Sequence, residues 1–207
     1  MANNGHEKTS KVDPRVKRTR QLLQRAFREL LTEKSFDGVT VRDIAERAEV
    51  NRATFYAHFE DKYELLRCSV REALQTELDK RLPGAASLTL PNLRLLTVTI
   101  IDFTSRFMKG CRPGSNNTGY VHIAPYIQQH VNDLLLTWLA VPENGETKSS
   151  LYRVVTILGW IIFGAAIQSA QGNDRRSAEQ IANDVLTFLM PSLQAYVVDI
   201  AEQTPQN

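Results

Sequence analysis

The sequence predicts an all-α protein, and three observations carry that expectation. Apolar residues recur at helical spacing along most of the chain, as at Leu23, Phe27 and Leu30. No stretch sustains the apolar–polar alternation of a half-buried strand. The periodic stretches are separated by clusters of helix-ending residues such as Leu82-Pro83-Gly84. With 207 residues, 43% of them hydrophobic and 23% charged, the composition is that of a packed domain and not of a disordered chain.

Residues 1–12 have no apolar core, so they read as a flexible tail and not a signal peptide. Asp13-Pro14 is a helix start, a cap followed by proline at the first helical position. That helix should run to about Lys34 with Val16, Leu22, Leu23, Ala26, Phe27, Leu30 and Leu31 as its apolar stripe. Ser35 to Gly38 ends it. Two short helices and a tight turn follow over Thr40 to Phe59. Thr40 and Asp43 have capping-box spacing, and Val41, Ile44 and Ala45 share a face, where Ala45 allows a second helix to cross closely. Glu49-Val50 makes the turn. Asn51 caps the second helix, Arg52 to His58. Phe55 and Phe59, four apart, face inward there, and Arg52, Ala53, Thr54, Tyr56 and His58 face outward. A fourth helix follows, from Glu60 to Arg81.

Leu82-Pro83-Gly84 marks the expected domain boundary, between residues 13–81 and residues 85–203. Beyond it, helices are expected over Pro91–Lys109, Val121–Leu139, Ser149–Gln171 and Ser177–Val198. Gly110–Gly119 and Val141–Lys148 read as loops. Pro125 should start or kink its helix, and Pro191 should kink or split the last one. The apolar run Val154 to Ile167 has fourteen residues, against the roughly 20 of a membrane span, so it reads as a buried or interface helix.

Formal net charge is only +2, but its distribution is uneven. Residues 1–34 hold nine Lys or Arg against four acids, and from Pro83 onward there are eight against nine. Positive charge therefore gathers beside the two short helices, where a phosphate backbone would be held. Two cysteines, Cys68 and Cys111, suit a reducing compartment, and a cytoplasmic protein with no membrane association is expected. No zinc-protease, nucleophile-elbow, phosphate-loop or paired-cysteine zinc spacing occurs. His122 and His130 would stand about 12 Å apart on a helix, beyond one metal's reach. Neither enzyme activity nor a metal or cofactor is expected.

Two compact helices with a polar and aromatic outer face form a helix-turn-helix, whose second helix fits the DNA major groove. Asn51 to Leu66, N-R-A-T-F-Y-x-H-F-x-D-K-x-x-L-L, resembles the DNA-binding signature of the TetR family of transcriptional regulators. The resemblance extends over about Arg15 to Leu78. One residue departs from it: Glu49 stands where the family often has glycine, which would cost about 1 kcal/mol if its φ is positive. On chemical grounds Arg52 is the best base reader, because a guanidinium matches the O6/N7 edge of guanine. Ala53 and Thr54 can meet a thymine methyl, and Tyr56 a phosphate or a base. Thr40, His58, Lys62, Lys17 and Arg18 can hold phosphates, with Arg42 and Asn51 completing the face. The resemblance supports these roles at Thr40, Arg52, Thr54, Tyr56, His58 and Lys62.

It also implies an architecture: an N-terminal three-helix DNA-binding domain, a linking helix, and a C-terminal helical domain for effector binding and dimerisation. Phe103, Phe107, Tyr120, His122, Tyr126, Trp138, Trp160 and Phe163 are the candidate lining of an effector pocket. Leu151, Val155, Leu158 and Ile162, with Ile181, Val185 and Phe188, are the candidate dimer interface, where Gly159 and Gly164 would allow close crossing. The expected function is a homodimeric repressor that binds a palindromic double-stranded operator and leaves it when a small molecule binds. The alternative is a helical protein-interaction module whose DNA binding depends on another protein.

Overall fold

In the computed structural model, which describes residues 13–85, 87–110, 118–139, 146–172 and 176–203, the chain is all-helical. Side chains are described within those ranges except at 110, 118–121, 146–150 and 192–203. The expected tail at 1–12, and most of the expected loops at Gly110–Gly119 and Val141–Lys148, lie outside the described residues. Among the described residues eight helices follow in order: α1 (Pro14–Glu33), α2 (Val41–Arg47), α3 (Arg52–Tyr56), α4 (Lys62–Arg81), α5 (Leu90–Gly110), α6 (Thr118–Trp138), α7 (Glu146–Ala170) and α8 (Ala178–Gln203). Pro125 and Pro191 sit inside α6 and α8, which continue past them.

Helix α1 starts where the sequence supplies a cap: the Asp13 carboxylate accepts the Arg15 N–H at 2.8 Å, and Pro14 takes the first position. It buries Leu23, Ala26, Phe27, Leu30 and Leu31. Val16 and Leu22, expected in the same stripe, are 38% and 40% exposed, so the buried face is narrower than the composition suggested. Helix α4 buries Leu65, Leu66, Val70, Leu74 and Leu78, and Gln24 of α1 donates to Glu72 of α4 at 2.9 Å.

Helix α2 is tied to α1 electrostatically. The capping box is complete: Thr40 Oγ1 accepts the Asp43 N–H at 3.1 Å, and Asp43 accepts the Thr40 N–H at 2.9 Å. Lys34, at the end of α1, donates to the same carboxylate at 3.0 Å. These bonds, the Thr40 N–H foremost, hold the Asp43 carboxyl down from the ordinary 3.8 to about 2. At the other end of α2, Arg47 grips Glu33 with two parallel bonds of 2.8 Å.

The C-terminal half is built around α7, which packs against α5, α6 and α8. The stretch Leu151–Ala170 is long and apolar enough to cross a membrane, and here three helices of the same chain pack against one side of it, burying 39% of its most apolar window. Leu151, Val155, Leu158 and Ile162 are therefore spent on the chain's own core, at 8%, 0%, 2% and 0% exposure, and do not face a second subunit as expected. Ile181 of α8 is buried with them. Gly159 makes its close crossing inside the subunit too: a Cβ there would collide with Oδ1 of Asn132 on α6. Gly164 meets open space. The connection after α4 is pinned by the Trp138 indole, which donates to the Ala85 carbonyl at 2.9 Å, and α5 is held to α4 by Arg81–Asp102 at 2.7 Å. One continuous apolar cluster runs from α1 to α8.

Two predictions follow from this packing. Gly159→Ala should destabilise the fold by about 1–3 kcal/mol through overpacking, and adding Asn132→Ala should recover part of the loss. Chemical denaturation of the two variants checks the pairing; additive losses would refute it. Asp43→Ala should cost about 1 kcal/mol at neutral pH, as lost caps do. Because the folded carboxyl titrates below its unfolded value, that stabilisation is present above pH 3.8 and lost as pH falls toward about 2. Urea titrations of both proteins across that range should show the gap close.

Candidate nucleic-acid interface

The turn between α2 and α3 is fixed by backbone bonds. The Glu49 N–H reaches the Glu46 carbonyl at 3.1 Å and the Val50 N–H reaches the Ala45 carbonyl at 3.0 Å, the two bonds of a Schellman ending. That ending needs a left-handed residue, and Glu49 occupies it at φ 56°. A non-glycine there costs about 1–2 kcal/mol, so the strain anticipated from the sequence is present. Asn51 then caps α3, its side chain accepting the Thr54 N–H at 2.7 Å and the Thr54 hydroxyl at 2.9 Å.

Ile44, Ala45, Phe55 and Phe59 are buried, which clamps α2 and α3 together and against α1. Helix α3 is shorter than expected, ending at Tyr56. Its outer face carries Arg52, Ala53 and Tyr56 in the open, Tyr56 at 51% exposure with its ring edge-on to Phe55. Thr54 and His58 are half-buried beside them. Lys17 and Arg18, in the first turns of α1, are exposed, as is Arg42 on α2, which pairs with Glu46 at 2.7 Å. Thr40 is exposed, yet both its N–H and its hydroxyl are engaged with Asp43.

Two cations of this region are engaged inside the subunit. Lys62, expected at the DNA backbone, turns inward and donates to three carbonyls: Phe36 at 3.0 Å, Asp37 at 3.2 Å and Val39 at 2.9 Å. An ammonium has three N–H donors, so all are used. It also lies 4.7 Å over the Phe36 ring, and burial lowers its pKa. Arg20 likewise donates to the His58 carbonyl at 3.0 Å, reaches Cys68 Sγ at 3.6 Å and stacks 4.4 Å over Phe59. It holds the end of α3 to α1 and α4. Neither role was visible in the sequence, where each residue was only one more basic side chain.

The aromatic residues expected to share an effector pocket have different surroundings among the described side chains, with Trp160 and Phe163 edge-on at 6.4 Å. Trp138 and Phe163 are buried in the core; Trp160 is 56% exposed and Tyr126 43% exposed. His122 is exposed on α6, its ring 4.6 Å from Tyr63 and 5.9 Å from Phe36, so it touches the core of the helix-turn-helix unit. The Tyr120 side chain lies outside the described residues. Phe103 and Phe107 line a cavity together, one bounded by α1, α4 and α5.

Residues 23–67 match the model of bacterial regulatory proteins of the tetR family. An uncharacterized HTH-type transcriptional regulator of Bacillus subtilis (strain 168), YxbF, is 40% identical over 74 residues, which are 35% of this chain and 20% of that protein's length. Among solved structures, a tetR-family transcriptional regulator from Streptomyces coelicolor shares the fold with a TM-score of 0.56 at 20% identity, over 92% of this chain and 91% of its own. A transcriptional regulator from Pseudomonas aeruginosa PAO1 does so with a TM-score of 0.55 at 17% identity, over 93% and 97%. At such identities the structural likeness is one of fold. Together with the helix-turn-helix geometry, the match places a tetR-family region of bacterial regulatory proteins at residues 23–67, and the chain spans only a fifth of the length of the curated regulator it matches.

Proposed function

We propose that the protein is a cytoplasmic homodimeric repressor: residues 13–81 read a palindromic operator, and residues 85–203 hold the partner subunit and respond to a small molecule. The observation that carries this reading is the pairing of two exposed surfaces. One is the outer face of α3, with Arg52, Ala53 and Tyr56 open to solvent beside Lys17 and Arg18. The other is the set of exposed apolar side chains on α7 and α8: Ile157, Trp160 and Phe188 are 58%, 56% and 77% exposed. Large apolar side chains left in water on two packed helices suit an interaction site. With Leu151, Val155, Leu158, Ile162 and Ile181 buried inside the subunit, these three residues, Tyr152 and the half-buried Val185 are the apolar side chains among those described on α7 and α8 that we assign to a second copy. A two-fold interface of that kind would set two α3 helices about 34–36 Å apart, one turn of DNA.

Binding sites selected from random DNA should be inverted repeats with that half-site spacing. On a selected site, Arg52→Ala should weaken binding by about 1–3 kcal/mol per half-site contact, with a smaller effect on scrambled DNA. Equal losses on both would make Arg52 a phosphate contact.

Phe188→Asp should turn the dimer into monomers with unchanged far-UV circular dichroism, since the side chain is 77% exposed and the core does not depend on it. Val155→Asp should instead unfold the subunit, because that residue is fully buried. Sedimentation with operator titration decides the matter. Phe188→Asp that stays dimeric would remove the proposed interface, and a wild-type monomer that binds its operator only with another protein would favour the interaction-module reading.

A further inference from the structure

Where α1, α4 and α5 meet, the structure leaves a cavity of about 300 Å³, at the lower end of the size range of small-molecule sites. Phe27 of α1, Leu66 and Val70 of α4, and Phe103 and Phe107 of α5 make its apolar walls. Its polar groups are few. Ser69 Oγ is buried with no hydrogen-bond partner, an arrangement that folded proteins rarely tolerate without a ligand or water. Arg28, Ser69 and Ala73 also line a second hollow of about 210 Å³, so the two spaces adjoin at the arginine and the serine.

The charged groups at this junction are engaged with one another, with one exception. Arg106 is held by Glu77 at 2.8 Å, and Glu77 is approached by Arg81 as well. In the second hollow Glu72 is occupied by Gln24 at 2.9 Å. Arg28 is exposed and has no ion-pair or hydrogen-bond partner among the described residues. The remaining demand is for a negative, hydrogen-bond-accepting group attached to a small apolar body.

We propose that this cavity binds a small aromatic carboxylate, its ring between Phe27, Val70, Phe103 and Phe107 and its carboxylate accepting from Ser69 Oγ near the Arg28 guanidinium. The site deepens the effector reading above and rests on it for its consequence. Its walls belong both to α1, whose first turns carry Lys17 and Arg18, and to α5 of the C-terminal half. A ligand there sets the spacing between α1 and α5, and α2 moves with α1 through the Arg47–Glu33 and Lys34–Asp43 bonds.

The test is calorimetric titration of the full-length protein with benzoate and phenylacetate, and with benzyl alcohol as the uncharged counterpart. At least one acid should bind, about tenfold or more tighter than the alcohol. Ala73→Phe, which fills the space, should abolish binding of the acid. Arg28→Gln changes an exposed side chain and so keeps the fold whatever Ala73→Phe does; it should weaken the acid about tenfold and leave the alcohol unchanged. Absence of binding by both acids overturns the proposal, as does equal binding to wild type and Arg28→Gln. Operator titration with the bound acid is a separate readout. Unchanged operator affinity would refute release by this ligand while calorimetry still establishes the site, and failure of the wild type to bind any DNA would refute the regulator reading alone.

Discussion

The ammonium of Lys62 is the contact on which the DNA-binding unit depends. The segment Phe36 to Val39 must leave α1 and enter α2 without regular secondary structure, and its carbonyls have no helix to bond. Lys62, at the first position of α4, takes three of them. An ammonium carries three N–H donors, one more than the neutral amide of Asn or Gln, so a single residue can serve all three carbonyls. Burial makes that charge costly, and the close carbonyls with the Phe36 ring offset the cost. The result is that α4 fixes the approach of α2, and through the Schellman turn at Glu49 the direction of α3.

Basic residues in this half of the chain therefore divide by what they reach. Lys62 and Arg20 spend their donors on backbone carbonyls, and Lys34 and Arg47 spend theirs on carboxylates. Those bonds orient the recognition helix. Lys17, Arg18 and Arg52 are exposed and remain for an external anion. A count of positive charge near the helix-turn-helix overstates the phosphate footprint, because part of that charge is internal structure.

Two of the several junctions between this unit and the rest of the chain lie close to α1. His122 of α6 lies against Tyr63 and Phe36, the same ring that Lys62 covers. The cavity between α1, α4 and α5 lies at a second junction. A packed interior transmits a displacement instead of absorbing it, so a change at either junction reaches the segment that sets α2. The chain's apolar core is continuous from α1 to α8, which is the physical condition for such transmission.

Local chemistry was legible in the sequence wherever neighbours along the chain decide the outcome. The Asp13-Pro14 start, the Thr40–Asp43 box, the Asn51 cap and the positive φ of Glu49 all involve groups within a few residues of each other, and each could be read from spacing. Helix type was legible for the same reason. What the sequence left open is which apolar residues face which neighbour. Helix α7 is apolar nearly all round, and periodicity alone cannot tell a face turned to its own subunit from one turned to another. The fold settled that by packing α5, α6 and α8 against one side of α7, which buries Val155 and Ile162 and leaves Ile157 and Trp160 outside. It likewise gave the aromatic residues of α5 to α7 different surroundings and drew Lys62 and Arg20 inward. Burial and hydrogen bonding across tens of residues are properties of three-dimensional packing, and no pattern within one helix encodes them.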